Sequence, residues 1–364
     1  MKFVSSLLKR VVYPCLSGSG FFERRSRPRD LSVITYHGVL PHGYTPVDPM
    51  LDGGLVSADA FRRQLRLLKS HYNILHPEQF LSAETPGRSI PYRSVLITCD
   101  DGLMNTITEM LPILLEEQVP CLFFVTGLSS ADAARMLWHE ELYLMMLAAP
   151  DPGLLEEIDP DLARRESAER GDMRTFWWSL VKRLSRLPTE ARDRFLDRAR
   201  GQLGLREDWN LANLDDAARR RRFLVLNRTE LKTLAGAEGA IGSHTLSHPM
   251  LSQMQHEDAW REIAECRRLL EETLHKPVWA FAYPFGDPAS FAQREVKMAE
   301  QAGYRWGFSN HEGAFQGSSC RFTVPRVHVT ATMSLSEFEA HISGFHENLR
   351  RRFVKPVAAP AAAG

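Results

Sequence analysis

Short apolar segments alternate along this chain with longer stretches of helical periodicity, and this alternation constrains the fold more than any other feature. The strand-like segments are 31–36, 93–99, 121–126, 239–243, 278–283, 305–309 and 323–329. Predicted helices lie between or after them, at 57–72 with Ser57 as N-cap, 103–118, 251–274, 288–302 and from Ser334. Because the strands are continuously apolar, we expect a parallel sheet covered by helices. An open doubly wound sheet and a closed α/β barrel both satisfy this pattern.

Residues 130–236 interrupt the alternation, because they contain many helix formers and no convincing strand. The segment predicts a helical insertion that is long enough to be a subdomain or a lid. Its basic run Arg219–Arg222 can bind a phosphate or an anionic headgroup. We favour a solvated helix face or ion pairs with Asp215 and Asp216.

The charge balance narrows the classes of partner. The chain has 45 Lys and Arg against 45 Asp and Glu, so its formal net charge is +0. A nucleic-acid-binding protein generally needs a basic surface to displace counterions, and we therefore expect no nucleic-acid partner. Cys99 and Cys121 lie within apolar runs and are predicted to be reduced core residues, which indicates a reducing compartment.

Both termini lie outside the alternating region. The apolar stretch 3–16 is interrupted by Lys9 and Arg10 and is too short to span a bilayer. The charges fall where a signal peptide has its apolar region, so we expect no cleaved export signal and a cytoplasmic location. For the segment 1–30 we favour a surface helix packed on the domain over an amphipathic contact with a membrane face. Residues 346–364 are expected to form a flexible tail.

Two adjacent carboxylates, Asp100 and Asp101, follow the strand at 93–99. Neighbouring strand residues point in opposite directions, but a turn at Gly102 can bring both side chains into one mouth of the sheet. Two close carboxylates resist ionising together unless a cation or a division of roles separates them. Taken alone, such a strand end equally suits the cap of the following helix.

His244 and His248 follow the strand at 239–243 and lie four residues apart. In a helical turn this spacing places both imidazoles on one face, where they suit one metal ion. Chance pairs are common among 13 histidines, but Asp101 completes a set of two histidines and one carboxylate. Such a set leaves positions open for water and substrate, as a hydrolytic metal site requires.

The strand at 278–283 runs into Pro284, Phe285 and Gly286, which force a sharp turn. A turn of this kind can present backbone N–H groups as an oxyanion hole. An ordinary connection from strand to helix has the same residues, so the segment is ambiguous by itself.

Together the three segments, TCDDG at 98–102, HTLSH at 244–248 and YPFG at 283–286, resemble the motifs of the polysaccharide deacetylase family. This family is also called the NodB-homology or carbohydrate esterase 4 group. The resemblance implies an α/β fold, a distorted (β/α) barrel formed by 31–129 and 237–345, around the helical insertion. It implies a metal-dependent hydrolase that removes an N-acetyl group from an amino sugar in a polysaccharide or a lipid-linked saccharide.

The resemblance also assigns roles to the motif residues. It implies that Asp100 is the general base, and that Asp101, His244 and His248 hold a divalent metal, most often zinc. The backbone N–H of Phe285 is the implied oxyanion donor. The division between the carboxylates is chemically sensible, because a carboxylate that ligates a cation stays ionised while a base must be free to take a proton.

Two positions depart from the family pattern. Phe281 or Ala282 stands where many members have the arginine that tethers the catalytic aspartate, and Phe285 stands where they have a tyrosine. We expect Arg326 to replace the arginine, and the backbone N–H is present with either side chain at 285. For the general acid we favour His37, at the mouth of the first strand, over His328, which lies in the last strand-like segment.

Three alternatives remain open. The segment Trp138-His139-Glu140-Glu141 either lines the cleft or packs at the base of the insertion. The catalytic centre does not encode the acyl group, so a hydrolase of another non-peptide C–N amide bond is a second candidate. A non-catalytic carbohydrate-binding relative is a third. The sequence does not predict the oligomeric state.

Overall fold

Eight parallel strands, all within the described residues, form one curled sheet in the computed structural model of the chain. The structure describes residues 7–25, 31–82, 90–149, 151, 154–158, 173–206, 209, 213–237, 239–313, 315 and 321–353. The strands are β1 (Leu31–Tyr36), β2 (Asn73–Ile74), β3 (Ser94–Cys99), β4 (Leu122–Val125), β5 (Ala240–Ser243), β6 (Ala280–Ala282), β7 (Trp306–Phe308) and β8 (Val327–His328). Their order is β7-β6-β5-β4-β3-β1-β8, and β2 pairs with β3.

The sheet is curled. The segment that ends in β8 pairs with β1 and also contacts β7, the strand at the opposite edge of the sheet. Within β8, Val327 and His328 pair with β1, while Val324 forms a parallel bridge to Phe308 of β7. The predicted strand at 323–329 is therefore present as two short pairings. Every predicted strand is found, and the two residues of β2 were missed because so short a strand has no periodic pattern.

Helices follow the strands in the order that the periodicity predicts. They are α1 (Tyr13–Gly18), α2 (Phe21–Arg25), α3 (Pro49–Asp52), α4 (Ala58–His71), α5 (Pro77–Ser82), α6 (Leu111–Glu117), α7 (Trp138–Ala148), α8 (Leu155–Ile158), α9 (Met173–Leu184), α10 (Thr189–Gln202), α11 (Ala217–Phe223), α12 (Arg228–Gly236), α13 (His256–Leu274), α14 (Gln293–Gln301), α15 (Leu335–Ile342) and α16 (Phe345–Phe353). Ser57 caps α4 by accepting a hydrogen bond from the Ala60 N–H at 3.2 Å, as expected.

Both faces of the sheet are buried, which explains the continuous apolar strands. One face packs against the helices, in a buried cluster that includes Ile34 and Ile97 of the sheet, Phe61 of α4 and Ile263 of α13. The opposite face fills the inside of the barrel; its buried side chains are Leu31, Val33, Leu96, Leu122, Phe124, Ala280, Ala282, Trp306 and Phe308. Cys99 and Cys121 are buried free thiols, as predicted.

Helices α7 to α11, within the predicted insertion, pack around a hydrophobic core of their own. Its buried side chains include Trp177, Leu180, Phe195 and Phe223. Phe285, from the turn after β6, packs against the edge of this cluster. The insertion therefore contacts the YPFG turn at 283–286, one of the three motif segments.

A buried ion triad connects the insertion to helix α3, which ends at Asp52. The Arg222 guanidinium lies 2.7 Å from Asp52 and 2.7 Å from Glu140, and it is fully buried. Our expectation of a solvated run paired with Asp215 and Asp216 is therefore wrong for this residue. The Arg219 backbone N–H donates to the Asp216 carboxylate, and the Arg220 guanidinium donates to the Asp215 backbone carbonyl.

The described part of the N-terminal segment packs on the domain as a helix. Tyr13 of α1 and Phe22 of α2 are buried against Ala340 of α15 and Phe345 of α16. Helix α16 also occupies the first part of the segment that we expected to be a flexible tail, while 354–364 lie outside the described residues. No described helix is both long and apolar enough to cross a bilayer. Membrane contact stays a prediction.

A second group of metal-ligand residue types, Glu312, His341 and His346, lies beside this helix. The two imidazoles stack, with centroids 4.0 Å apart and planes inclined by 16°. An imidazole nitrogen binds a cation in the plane of its ring, so rings stacked in this way cannot both direct a lone pair at one ion. Instead His341 contacts Glu312, and His346 Nδ1 lies 2.7 Å from the Tyr13 hydroxyl. The group connects the N-terminal helix to the domain.

The ion triad generates the first prediction. Replacing Arg222→Met leaves Asp52 and Glu140 buried without their cation, so we expect the free energy of unfolding to fall by about 3–5 kcal/mol. Urea denaturation measures the change. Arg220→Met, on the exposed side of the same helix, is the matched control. Equal stability of the two variants would contradict the structural role of the triad.

Candidate active site

Asp100 forms a two-pronged ion pair at the carboxyl end of β3. The Arg326 guanidinium donates to both carboxylate oxygens, from Nη1 to Oδ1 at 2.7 Å and from Nη2 to Oδ2 at 2.6 Å. Arg326 is held in turn by the Ser309 carbonyl at 2.8 Å and the Thr98 hydroxyl at 3.1 Å. The structure thus places Arg326 where we expected an arginine to tether this aspartate.

Asp101 faces both predicted histidines. Its Oδ1 lies 3.4 Å from His244 Nε2 and 3.3 Å from His248 Nε2, and all three side chains are buried. The turn that separates the two aspartates begins at Asp101 itself, whose φ is 74°, and continues at Gly102, whose φ is 68°. The turn predicted at Gly102 therefore starts one residue earlier.

The histidines converge by a route that differs from the predicted helical turn. Residues 244–248 form an irregular loop in which Thr245 and His248 both have left-handed backbones, with φ of 65° and 59°. His244 is oriented by its second nitrogen, because Nδ1 lies 2.8 Å from the Ala282 carbonyl oxygen. A hydrogen bond of this kind directs the other nitrogen of a metal-ligating histidine at its ion.

Left-handed backbone is concentrated at this site. Seven non-glycine residues of the described chain have positive φ, and four of them are Asp101, Thr245, His248 and Phe285. Each costs about 1–2 kcal/mol relative to an ordinary conformation. Strain that clusters in this way marks a site whose geometry the surrounding structure imposes.

The surroundings keep both carboxylates ionised. Burial alone would raise the pKa of Asp100, but the charge and hydrogen bonds of Arg326 bring it below its usual value. Burial also acts to raise the pKa of Asp101, and the hydrogen bonds to His244 and His248 hold it well below the usual range. The two neighbours therefore carry negative charge together because each has different partners.

Asp101, His244 and His248 fit a divalent cation. Their ligand atoms lie within 4.8 Å of one another. One carboxylate oxygen and two imidazole nitrogens form a donor set typical of zinc and other first-row metals, and three protein ligands leave coordination positions open.

The turn after β6 places Phe285 beside this group. A hydrogen bond from the Gly286 N–H to the Pro284 carbonyl at 2.7 Å closes the turn, and Phe285 has a φ of 62°. Among the described residues the Phe285 N–H has no acceptor. Its ring contacts His248, with centroids 4.8 Å apart. The backbone donor predicted for an oxyanion thus has no acceptor in the described chain, and it belongs to a residue whose ring contacts a metal-ligand candidate.

The two candidates for the general acid, His37 and His328, lie side by side. Their ring centroids are 4.8 Å apart. His37 Nδ1 and His328 Nε2 are buried without a hydrogen-bond partner in the described part of the chain. Burial, together with the charge of His37, lowers the pKa of His328 to about 3. His328 is therefore neutral at physiological pH.

The insertion supplies residues that the motifs did not identify. The Trp138 indole N–H donates to the His248 carbonyl at 3.1 Å, and the His139 ring stacks on the His248 ring with centroids 4.8 Å apart. Both alternatives for this segment therefore apply, since it packs at the base of the insertion and also borders the site. Arg192 contacts the same loop, and nothing in its sequence surroundings distinguishes it from other arginines of the insertion.

Comparisons with known proteins agree with this geometry. The family model described as polysaccharide deacetylase matches residues 215–307. A Bacillus subtilis protein named as a polysaccharide deacetylase, YxkH, is 28% identical over 117 residues, which are 32% of this chain and 41% of that protein. The chain thus matches about two fifths of that relative's length. These matches confirm the resemblance that the motifs predict.

Solved structures confirm the fold. The Streptococcus pyogenes deacetylase PplD, solved with acetate, superposes with a TM-score of 0.55 at 16% identity, over 87% of this chain and 99% of that chain. IcaB from Ammonifex degensii gives a TM-score of 0.51 at 16% identity, over 87% of this chain and 98% of that chain. The predicted distorted (β/α) barrel is therefore correct.

The depressed pKa of His328 generates the second prediction. An unfolded histidine takes up a proton near pH 6.5, whereas His328 in the folded chain does so only near pH 3. Acid therefore favours the unfolded chain as the pH falls below 6.5. The unchanged protein loses stability between pH 7.5 and pH 5, and we expect this loss to be about 2 kcal/mol smaller in His328→Asn.

Thermal or urea unfolding at the two pH values measures this effect. The control is His256→Asn, at an exposed position of α13. This variant should lose as much stability between the two pH values as the unchanged protein. An identical loss in both variants would show that His328 titrates normally in the folded chain.

Proposed function

We propose that this chain is a metal-dependent hydrolase that removes an N-acetyl group from an amino sugar in a polysaccharide or a lipid-linked saccharide. The observation that carries the proposal is the division between Asp100 and Asp101. One is paired with an arginine, and the other faces two histidines across a gap that suits a cation. The resemblance to polysaccharide deacetylases supplies the substrate class.

Asp101, His244 and His248 are the residues that hold the metal in this proposal. When bound, a divalent cation polarises the acyl carbonyl and acidifies water. Asp100 then takes a proton from the attacking water as general base. Arg326 keeps Asp100 ionised and fixes its direction, while the remaining lone pairs of the carboxylate accept the proton.

The backbone N–H of Phe285 stabilises the negative charge that develops on the acyl oxygen. It is suited to this role because it is a free donor held by a closed, left-handed turn, so it does not need to reorganise during the reaction. The site residue is Phe285 where many family members have tyrosine, and the donated group is the backbone in either case.

His37 is the general acid that protonates the leaving amine. The pKa of about 3 at His328 supports this choice, because that ring holds no imidazolium proton at neutral pH. His328 instead borders His37 and limits its orientation, with ring centroids 4.8 Å apart.

The proposed base generates the third prediction. Asp100→Asn keeps the shape of the side chain but cannot accept the proton, so we expect the rate of amine release from N-acetylated oligosaccharides to fall by about 10²–10⁴-fold. Zinc binding should persist in this variant and be lost in Asp101→Asn. Full activity of Asp100→Asn would overturn the mechanism.

The same assay should include other amides. A panel of N-acetyl sugar oligomers and cyclic amides distinguishes the deacetylase from a hydrolase of a different C–N bond. Zinc binding without turnover of either class would favour a non-catalytic carbohydrate-binding protein.

The proposed acid generates the fourth prediction. Because neutral His328 cannot replace the acid, His37→Ala should lower kcat by about 10²-fold or more, whereas His328→Ala should lower it by less. Substrates with leaving amines of lower pKa need less protonation, and they should restore activity selectively in His37→Ala. A larger loss of kcat in His328→Ala would reverse the assignment.

A further inference from the structure

We propose that Arg192, on helix α10 of the insertion, is a positioning residue for the metal site. It acts through Ser247 and holds the loop 244–248 in the conformation in which His248 faces Asp101. This inference rests on the proposed function, because it concerns the binding of the metal that the function needs.

His248 lacks the orienting hydrogen bond that His244 has. His244 Nδ1 lies 2.8 Å from the Ala282 carbonyl oxygen, whereas His248 Nδ1 is buried without a hydrogen-bond partner among the described residues. The ring of a metal-ligating histidine is usually fixed by such a second contact. The direction of His248 therefore depends on the backbone of its loop and on the rings that pack against it.

That backbone is strained and needs external support. Thr245 and His248 both adopt left-handed conformations, which cost about 1–2 kcal/mol each. Without a clamp the loop would relax toward ordinary conformations, and His248 Nε2 would move away from its position 3.3 Å from Asp101.

Glu262 of α13 holds the inner side of the loop. Its carboxylate accepts the Ser247 N–H at 2.9 Å and the Ser247 hydroxyl at 2.5 Å, and its backbone carbonyl accepts the Leu246 N–H at 3.1 Å. Because the Ser247 hydroxyl donates to Glu262, its oxygen is available to accept a hydrogen bond from the other side.

Arg192 holds the outer side. Its Nη2 donates to the Ser247 hydroxyl oxygen at 2.5 Å, and its guanidinium lies 4.7 Å from the centroid of the Trp138 ring. Trp138 in turn donates to the His248 carbonyl at 3.1 Å. Two contacts of this guanidinium thus lead, through Ser247 and Trp138, to adjacent residues of the same loop. A longer contact, from Nη2 to the Thr189 hydroxyl at 3.4 Å, lies within α10.

The burial of Arg192 indicates that these contacts decide its placement. The side chain is only 1% exposed, and its Nε and Nη1 have no hydrogen-bond partner in the described chain. A buried guanidinium with few partners is costly, and its main opposite charge is Glu262, on the far side of Ser247. The alignment Arg192, Ser247, Glu262 therefore places the metal loop between two buried charges.

The test measures zinc affinity directly. Zinc is titrated into the full chain in competition with a chromogenic chelator, at a temperature well below unfolding, and the thermal midpoint of the metal-free protein is recorded in parallel. We expect Arg192→Met to weaken zinc binding by about 10–100-fold, as changes to orienting partners of metal ligands generally do. Arg194→Met, exposed on the same helix, should leave the affinity unchanged.

Ser247→Ala keeps the inference falsifiable if Arg192→Met does not fold. It removes one hydroxyl and should also weaken zinc binding, while the N–H of residue 247 still reaches Glu262. A role confined to packing would lower the thermal midpoint of the metal-free variants without changing their zinc affinity.

The outcomes separate this inference from the proposed function. If the unchanged protein binds zinc and Asp101→Asn does not, but Arg192→Met and Ser247→Ala bind it as tightly as Arg194→Met, the positioning role is overturned and the metal site stands. If the unchanged protein binds no more zinc than Asp101→Asn, the metal site itself is wrong, and this inference fails with it.

Discussion

Two ionised carboxylates that follow one buried strand are the constraint on which the rest of the site depends. Asp100 and Asp101 are adjacent and buried, and such a pair is tolerated only if each charge has its own partners. Arg326 compensates the first, and the second faces His244 and His248. The left-handed residue at Asp101 makes this division possible, because it turns the second side chain toward the histidines.

The curl of the sheet brings the partners of both carboxylates together. Arg326 precedes β8, which pairs with β1, and its guanidinium must reach the end of β3 on the far side of that strand. The histidine loop follows β5, two positions away on the opposite side of β3. A curved parallel sheet brings these strand ends together at one mouth, as is usual for active sites of α/β barrels.

The helical insertion forms one wall of the site as well as a core of its own. Its Trp138 and His139 contact His248, and Phe285 lies between the insertion core and the same ring. The buried Arg222 triad connects this wall to helix α3. A segment that has no strand and matches no catalytic motif therefore contributes to the geometry at the metal-ligand candidates.

The strands, the helix caps and the three motifs could be predicted because they depend on neighbours in the chain. Strand β1 lies at the predicted bounds, and Ser57 caps α4, since apolar runs and capping hydroxyls act over a few residues. The four-residue spacing of His244 and His248 predicts a helical turn, whereas the two residues lie in an irregular loop. The left-handed backbone of their loop has no local signature, because contacts with Glu262 and the insertion impose it.

The alternating fold class, the candidate acid, base and metal-ligand residues, and the family that they resemble can all be predicted from the amino-acid sequence alone. Only the tertiary structure shows which distant residues each buried arginine contacts. Arg192, Arg222 and Arg326 look alike in the sequence, yet one contacts the metal loop, one joins the insertion to the barrel and one orients Asp100. It also decided that His37 and His328 lie side by side. The physical reason is that local patterns arise from interactions within a few residues, whereas the partner of a buried charge is set by how distant strand ends meet.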